Sequence, residues 1–465
     1  MKLPVAVLLI PLFLLAGCTP PKTVAPLDSA VSPNVPAPQL QVSPDGHHLQ
    51  TTTQEPFFWL ADTAWEMLHR LDYTQTDHYL TTRRDQGFNV VQTVILAEQD
   101  GLRTPNRNGD LPLQDLDPTR PNEAYFSHVD RVIERANELG IVVALLPTWG
   151  DKFNRKWGMG PEIFNADNAR VFGKFLGQRY ANAAIVWVLG GDRIPEEPED
   201  FAIINAMTAG LKEGDGGRHL ISYHPQGRQS SANFFHDAPW LAFNMHQSGH
   251  GERDYANFND TLRDANREPT KPALDAEPLY EDIPIGFKPE NGWFGAFEAR
   301  RAAYWSVLAG ALGHTYGHHS IWQMWEPGMN GALEPRTPWQ EALYYPGAYQ
   351  MGYMKALFSR LPWTTLRPAQ EQLVQESLVK APQQGADAIR IATTADGNWL
   401  IAYTPFGTQF SLDLTVLPTA GYWFNPRDAT QIPLSTMPRA IGTTHFDPPA
   451  DTARGNDWLL VLERH

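Results

Sequence analysis

Two acidic residues stand where this chain could do chemistry. Asp192 closes the stretch AAIVWVLGGD (residues 183–192), in which an apolar run stops at Gly190 and Gly191. Glu277 lies in PALDAEPLYE (residues 272–281), again just past a short apolar run. A continuous apolar run of this length suits a strand buried on both faces of a parallel sheet. The glycines permit a sharp turn at its end. In a barrel of alternating strands and helices, the C-terminal mouth of the strands is where reactions are carried out. Two carboxylates facing each other across such a mouth are the minimal equipment for cleaving a glycosidic bond. One must be protonated near neutral pH to hand a proton to the leaving oxygen, and burial beside the other would raise its pKa. The other must stay ionised, to attack the anomeric carbon or to activate water. Strand alternation puts Asp275 on the same face as Glu277, so Asp275 is a rival or a helper. Glu277 is favoured because it lies nearer the strand end.

The other residues at expected strand ends are Asp62, Trp65, Glu98, Trp149, His224, His246, Gln247, His250, Tyr316, His318, His319 and Trp322. Such a set suits a polyhydroxylated substrate, with carboxylates, amides and imidazoles for hydroxyls and indoles for sugar faces. Asp62 and Trp65 are expected at the pocket floor, although Trp65 equally suits packing at a helix start. His224 and Gln247 are expected as hydroxyl ligands, with His246, His250 and His318 near them, and Trp149 and Trp322 as sugar platforms. His318 and His319 equally suit buried donors in the core, and Glu98 and Glu326 have no assigned role. A metallohydrolase barrel would show two histidines one residue apart at the end of its first strand, where this chain reads WLADTAW. Neither HExxH, GxSxG nor a strand-following GxGxxG occurs, so no metal or cofactor is expected.

The elements that must position these groups follow from the alternation of apolar runs and amphipathic stretches. Strands are expected at residues 56–61, 89–96, 141–147, 185–189, 219–223, 241–245, 272–277 and 314–316. Helices are expected at 76–86, 126–139, 168–180, 199–211, 255–267 and 297–309. Eight strand–helix units spanning residues 40–365 predict an α/β fold, a (β/α)8 TIM barrel with insertions, preceded by a short hairpin at residues 40–53. A long loop at residues 103–121 reads as a wall of the site. From residue 366 to 465 the period changes to two, with turn signals such as Asp396-Gly397-Asn398, which predicts a small all-β sandwich as a second domain. That domain is expected to pack as a support and to contribute no catalytic group.

The chain has 465 residues and a net charge of −15, with no basic stripe, so a nucleic-acid partner is not expected. Lys2 precedes a short apolar segment that ends in LAGC (residues 15–18), and Cys18 is the single cysteine. The segment is too short to span a bilayer in the usual way and resembles the lipobox of bacterial lipoproteins. That resemblance implies a signal peptide at residues 1–18, cleavage before Cys18 and lipid attached to it, with the membrane as a partner. Thr19 is not Asp, which implies the outer membrane of a Gram-negative cell envelope. Residues 19–39, rich in Pro, read as an extended tether.

Five stretches in order, FFWLADTAWEML, GFNVVQTVIL, VWVLGGDR, DAEPLYE and YGHHSIWQMW, together resemble the DUF4038 barrel of the apiosidase-like glycoside hydrolases, family 140. The C-terminal part is similar to the β-sandwich that accompanies this barrel and carries a collagen-binding label. The resemblance covers almost the whole chain after the tether. It implies that Asp192 is the acid/base and Glu277 the nucleophile of a retaining glycoside hydrolase. It further implies release of apiose from the rhamnogalacturonan II side chains of pectin, a polysaccharide or oligosaccharide substrate. Related retaining barrels carry Glu at the strand-four position, one methylene longer than Asp192. A non-catalytic glycan-binding lipoprotein is the alternative, but a degenerate site would usually lose one carboxylate, and both are present. Nothing in the chain offers protease chemistry to match the collagenase label.

Overall fold

A computed structural model describes residues 35–376 and 385–464. The hairpin β1 (Leu40–Val42) and β2 (Leu49–Thr51) pairs with β3 (Pro56–Phe57) in a small antiparallel sheet. Eight parallel strands follow: β4 (Trp59–Thr63), β5 (Val90–Leu96), β6 (Val142–Thr148), β7 (Ile185–Leu189), β8 (Ile221–Tyr223), β9 (Asn244–His246), β10 (Ala273–Asp275) and β11 (Gly313–Tyr316). Six form one sheet in the order β11-β4-β5-β6-β7-β8, and β9 pairs with β10. The Ala242 amide donating to Ile221 and the Leu312 amide donating to Ala273 join the two pieces into a closed barrel.

The unbroken apolar strands are two-sided. On β6 and β7, Val142, Ala144, Leu146, Val186 and Val188 belong to one core cluster, whereas Val143, Leu145, Ile185, Trp187 and Leu189 belong to another under the helices. Alternate side chains thus fill the barrel and the outer layer, as the strand period of two requires. The longer helices are α1 (Tyr73–Asp85), α2 (Glu123–Glu138), α3 (Ala166–Arg179), α4 (Pro198–Asp215), α5 (Phe258–Ala265), α6 (Ala296–Leu308) and α7 (Pro346–Phe358). Their ends follow local chemistry. Asp72 and Asn165 close capping boxes on α1 and α3, and α4 starts on Pro198 and stops at Gly216 in the left-handed region. Among the described residues no helix is long and apolar enough to cross a membrane.

Strands β12 (Leu366–Pro368), β13 (Arg390–Thr394), β14 (Trp399–Thr404), β15 (Phe410–Leu414), β16 (Ala420–Phe424), β17 (Gln431–Pro433), β18 (Gly442–Phe446) and β19 (Trp458–Glu463) build the all-β domain. A six-stranded sheet, β12-β13-β14-β19-β16-β17, faces the β15–β18 pair across its own apolar core. Strands β17 and β18 are half-exposed and short of apolar residues. This domain docks on α6. Arg300 makes two hydrogen bonds to buried Asp457 (2.6 and 3.0 Å), Trp305 donates to the Ala388 carbonyl (2.9 Å), and Tyr304 stacks on Tyr403. At the N-terminal ends of the barrel strands, the Ala37 amide donates to the Asn137 carbonyl and Gln39 donates to the Ala183 carbonyl. Cys18 and residues 1–34 lie outside the described residues.

Candidate active site

A cavity of about 560 Å³ opens at the C-terminal ends of the barrel strands. Trp65, Glu98, Trp149, Trp157, Asp192, Arg228, Gln247, His250, Glu277, Tyr280, Phe287, Trp322 and Leu333 are among its lining residues, and none comes from the β domain. Asp192 follows β7 and the two glycines, with its own φ at 58°. Gly190, at φ 95°, has no room for a side chain: a Cβ there would lie 2.3 Å from the His224 carbonyl. That close approach brings the β7 and β8 loops together, and the Asp192 amide donates to Nδ1 of His224 (3.3 Å).

Because Nδ1 of His224 accepts that bond, Nε2 carries the ring proton, and it lies 3.2 Å from Oε2 of Glu277. His250 repeats the arrangement. Its Nδ1 accepts from the Tyr280 amide (3.3 Å), and its Nε2 lies 3.1 Å from Oε1 of Glu277. Gln247 Nε2 donates to the same oxygen (3.0 Å). Burial pushes the Glu277 carboxyl up, but the hydrogen bonds from His224 and His250 outweigh it and bring the carboxyl down to about 2. Asp192 moves the other way. Burial first, and then the charge of Glu277, raise it to about 6 against the opposing effects of His224, Arg193 and the Trp157 indole. One carboxylate of the pair is held ionised, and the other keeps its proton up to about pH 6.

The remaining expected ligands divide cleanly. Trp65, Trp149, Gln247, His250 and Trp322 line the cavity, and His224 stands behind Glu277. The rings of Trp65 and Trp149 are 5.2 Å apart, and Trp65 meets His224 edge-on. Asp62, His246 and His318 do not line the cavity, contrary to the expectation from sequence. Asp62 points outward from β4 to α1, fully buried, with Tyr79 and Arg83 each bonded to it at 2.6 Å. Its neighbour Thr63 pairs with Gln92, whose amide reaches across the interior to the Ala276 carbonyl, so the side-chain period leaves Asp62 on the outer face. His246 likewise points away from Met245, to Asp264 on α5 at 3.3 Å. His318 is buried against Tyr345 and accepts from the Ser320 amide at the start of a single helical turn. Asp275 is bound by Ser248 and Asn257 and stays outside the cavity. Strand β10 ends at Asp275, so alternation no longer governs where Glu277 points.

Several site residues were not singled out by sequence. Glu98 was noted at a strand end but given no role. Its carboxyl makes no hydrogen bond among the described residues, and burial, followed by Asp192, Asp151 and Glu66, pushes it up to about 8. Trp157, Arg228, Phe287 and Leu333 come from loops, where no period marks them. Tyr280, adjacent to the DAEP motif, accepts from Trp65 Nε1 (3.3 Å). His319 holds the wall from behind, bonded to the Leu333 carbonyl and to the Trp322 indole. Among the described residues no group of three or more His, Cys, Asp or Glu side chains is arranged to hold a metal ion.

A barrel with two opposed, oppositely perturbed carboxyl groups in an indole-lined cavity fits the family whose pattern residues 43–365 match, described as "Apiosidase-like, catalytic domain". The chain belongs to the apiosidase-like family. Residues 373–463 match a "Putative collagen-binding domain of a collagenase". Among solved structures, one described as a glycoside hydrolase is 29% identical, with 92% of this chain and 97% of the other covered and a TM-score of 0.82. A family 5 glycoside hydrolase from Bacteroides vulgatus is 28% identical over 92% of each chain, also with a TM-score of 0.82. No curated protein matches the chain. These likenesses support glycosidase activity for this apiosidase-like protein.

Proposed function

We propose that this protein is a retaining glycoside hydrolase acting on side chains of plant cell-wall polysaccharide, with apiose-bearing pectin as the substrate class that its family resemblance favours. The observation that carries the reading is the opposite perturbation of Asp192 and Glu277 within one cavity. In the first step Glu277 attacks the anomeric carbon while Asp192 gives its proton to the departing glycosidic oxygen, leaving a glycosyl ester on Glu277. In the second step Asp192 takes a proton from water, the water oxygen displaces Glu277, and the sugar leaves with its original anomeric configuration. Gln247, His224 and His250 keep Glu277 ionised for the attack, and the indoles of Trp65, Trp149 and Trp322 offer apolar faces to the sugar.

The test is incubation of purified protein with pectic oligosaccharides, with the released anomer followed by proton NMR. Retention is expected, and Glu277→Gln should abolish turnover. An inverted product would recast Glu277 as a general base. We also propose that the protein is anchored at the outer membrane of a bacterial envelope through lipid on Cys18. Wild-type protein should then partition into detergent while Cys18→Ser does not, and equal partitioning would end that proposal.

A further inference from the structure

Trp157 sits on the loop that follows β6, and its indole Nε1 donates to Oδ2 of Asp192 at 2.8 Å. The loop is firmly built. Lys152, fully buried, bonds Asp151 (2.6 Å) and the Ala97 carbonyl (3.0 Å), and Oδ2 of Asp151 accepts from the Gly160 amide (2.7 Å). Arg193, also fully buried, ties the same loop to the end of β7. It donates to the carbonyls of Asn154 (2.8 Å), Asp192 (2.7 Å) and Trp157. Its guanidinium lies 3.9 Å from the centre of the Trp157 ring, covering one face. Yet the residue as a whole is 42% exposed and lines the cavity. A large indole left this open at a cavity rim, clamped from behind and bonded to one carboxylate oxygen, is not serving the core.

We infer that Trp157 is a positioning and specificity-determining residue: its N–H fixes the Asp192 carboxyl toward the cavity, and its free ring face is the platform for the sugar on the leaving-group side. This rests on the reading of Asp192 as the acid/base, since the group that protonates the glycosidic oxygen must lie beside the leaving sugar. The bond occupies Oδ2 and leaves Oδ1 to carry the proton that is transferred. Donation to the ionised form also favours that form, so the indole tempers the rise that burial and Glu277 impose on Asp192. The charged and titratable groups around this carboxyl are Glu277, His224, Arg193 and Glu98.

Two variants separate the roles. Trp157→Phe keeps a ring and removes the N–H, whereas Trp157→Ala removes both. The Asp192 carboxyl titration, read by infrared spectroscopy with Asp192→Asn as the subtraction, should move up by about one pH unit or more in Trp157→Phe, the size expected for losing a hydrogen bond to a charged group. On a pectic oligosaccharide fraction, Trp157→Phe should lower kcat with KM within about twofold of wild type, and Trp157→Ala should raise KM about tenfold or more, as losing a stacking face would. An unmoved titration in Trp157→Phe, or a wild-type KM in Trp157→Ala, overturns the inference. A wild type that hydrolyses no glycan overturns the glycosidase reading and the platform with it, while the titration still reads the hold on Asp192.

Discussion

Replacing Asp192 with Asn should stabilise this protein at neutral pH while removing the proposed acid. Burial and the neighbouring Glu277 charge lift the Asp192 carboxyl from an ordinary 3.8 to about 6. A carboxyl with a folded value above its unfolded value binds more protons in the folded state between the two. Stability therefore falls as pH rises from 3.8 through 6. Above that window the ionised side chain destabilises the fold by about 3 kcal/mol, from a gap of about two pH units at about 1.4 kcal/mol each. Asn carries no charge, keeps an oxygen for the Trp157 N–H, and tolerates the left-handed backbone at φ 58° as Asp does. Asp192→Asn should thus gain about 3 kcal/mol over wild type near pH 8 and almost nothing below about pH 4. Thermal midpoints of both proteins across that range give the answer. A difference that does not change with pH would mean that ionising Asp192 costs the fold nothing, and the electrostatic case for a protonated acid would fall.

Three other perturbations probe the surroundings. Asp62→Asn breaks a fully buried ion pair with Arg83 and should cost about 3–5 kcal/mol of stability with no change in KM; a raised KM without a lowered melting point would return Asp62 to the site. His250→Ala removes a donor from Glu277, so the acid limb of the pH–rate profile should move up by about one pH unit, and an unmoved limb would deny that bond its role. Glu98, pushed up to about 8, is neutral at pH 7, so Glu98→Gln should keep its activity there and hold it further into the alkaline range. Lost activity at acidic pH would show that the proton itself is needed.

The order of the barrel strands was legible because each is a short apolar run bounded by turn residues, and Asp192 and Glu277 stand just past two of them. What sequence could not give was the facing of residues inside or next to a strand. Asp62, His246 and Asp275 are polar residues at strand ends, yet each falls on the outer face and is consumed by partners on helices or loops. A one-residue change of phase turns a mouth residue into a buried one. His318 belongs to a different case, a cap on a helical turn too short to announce itself. Trp157 and Arg228 sit in irregular loops, where no periodicity distinguishes a rim residue from a connector. In the second domain, period-two alternation marks β13, β14, β15, β16 and β19, whereas β12, β17 and β18 bury too little to leave a pattern.

The bonds that Ala37 and Gln39 make to Asn137 and Ala183 have a mechanical consequence. They fasten the chain at the N-terminal ends of β6 and β7, the end of the barrel away from Asp192 and Glu277. A pull applied at Val35 therefore bears on the N-terminal ends of the barrel strands, and the cavity with Asp192 and Glu277 lies at the other end. If the proposed anchor on Cys18 exists, it holds the protein by the end opposite the cavity, and the proposed branched substrate meets the opening from the side away from the anchor.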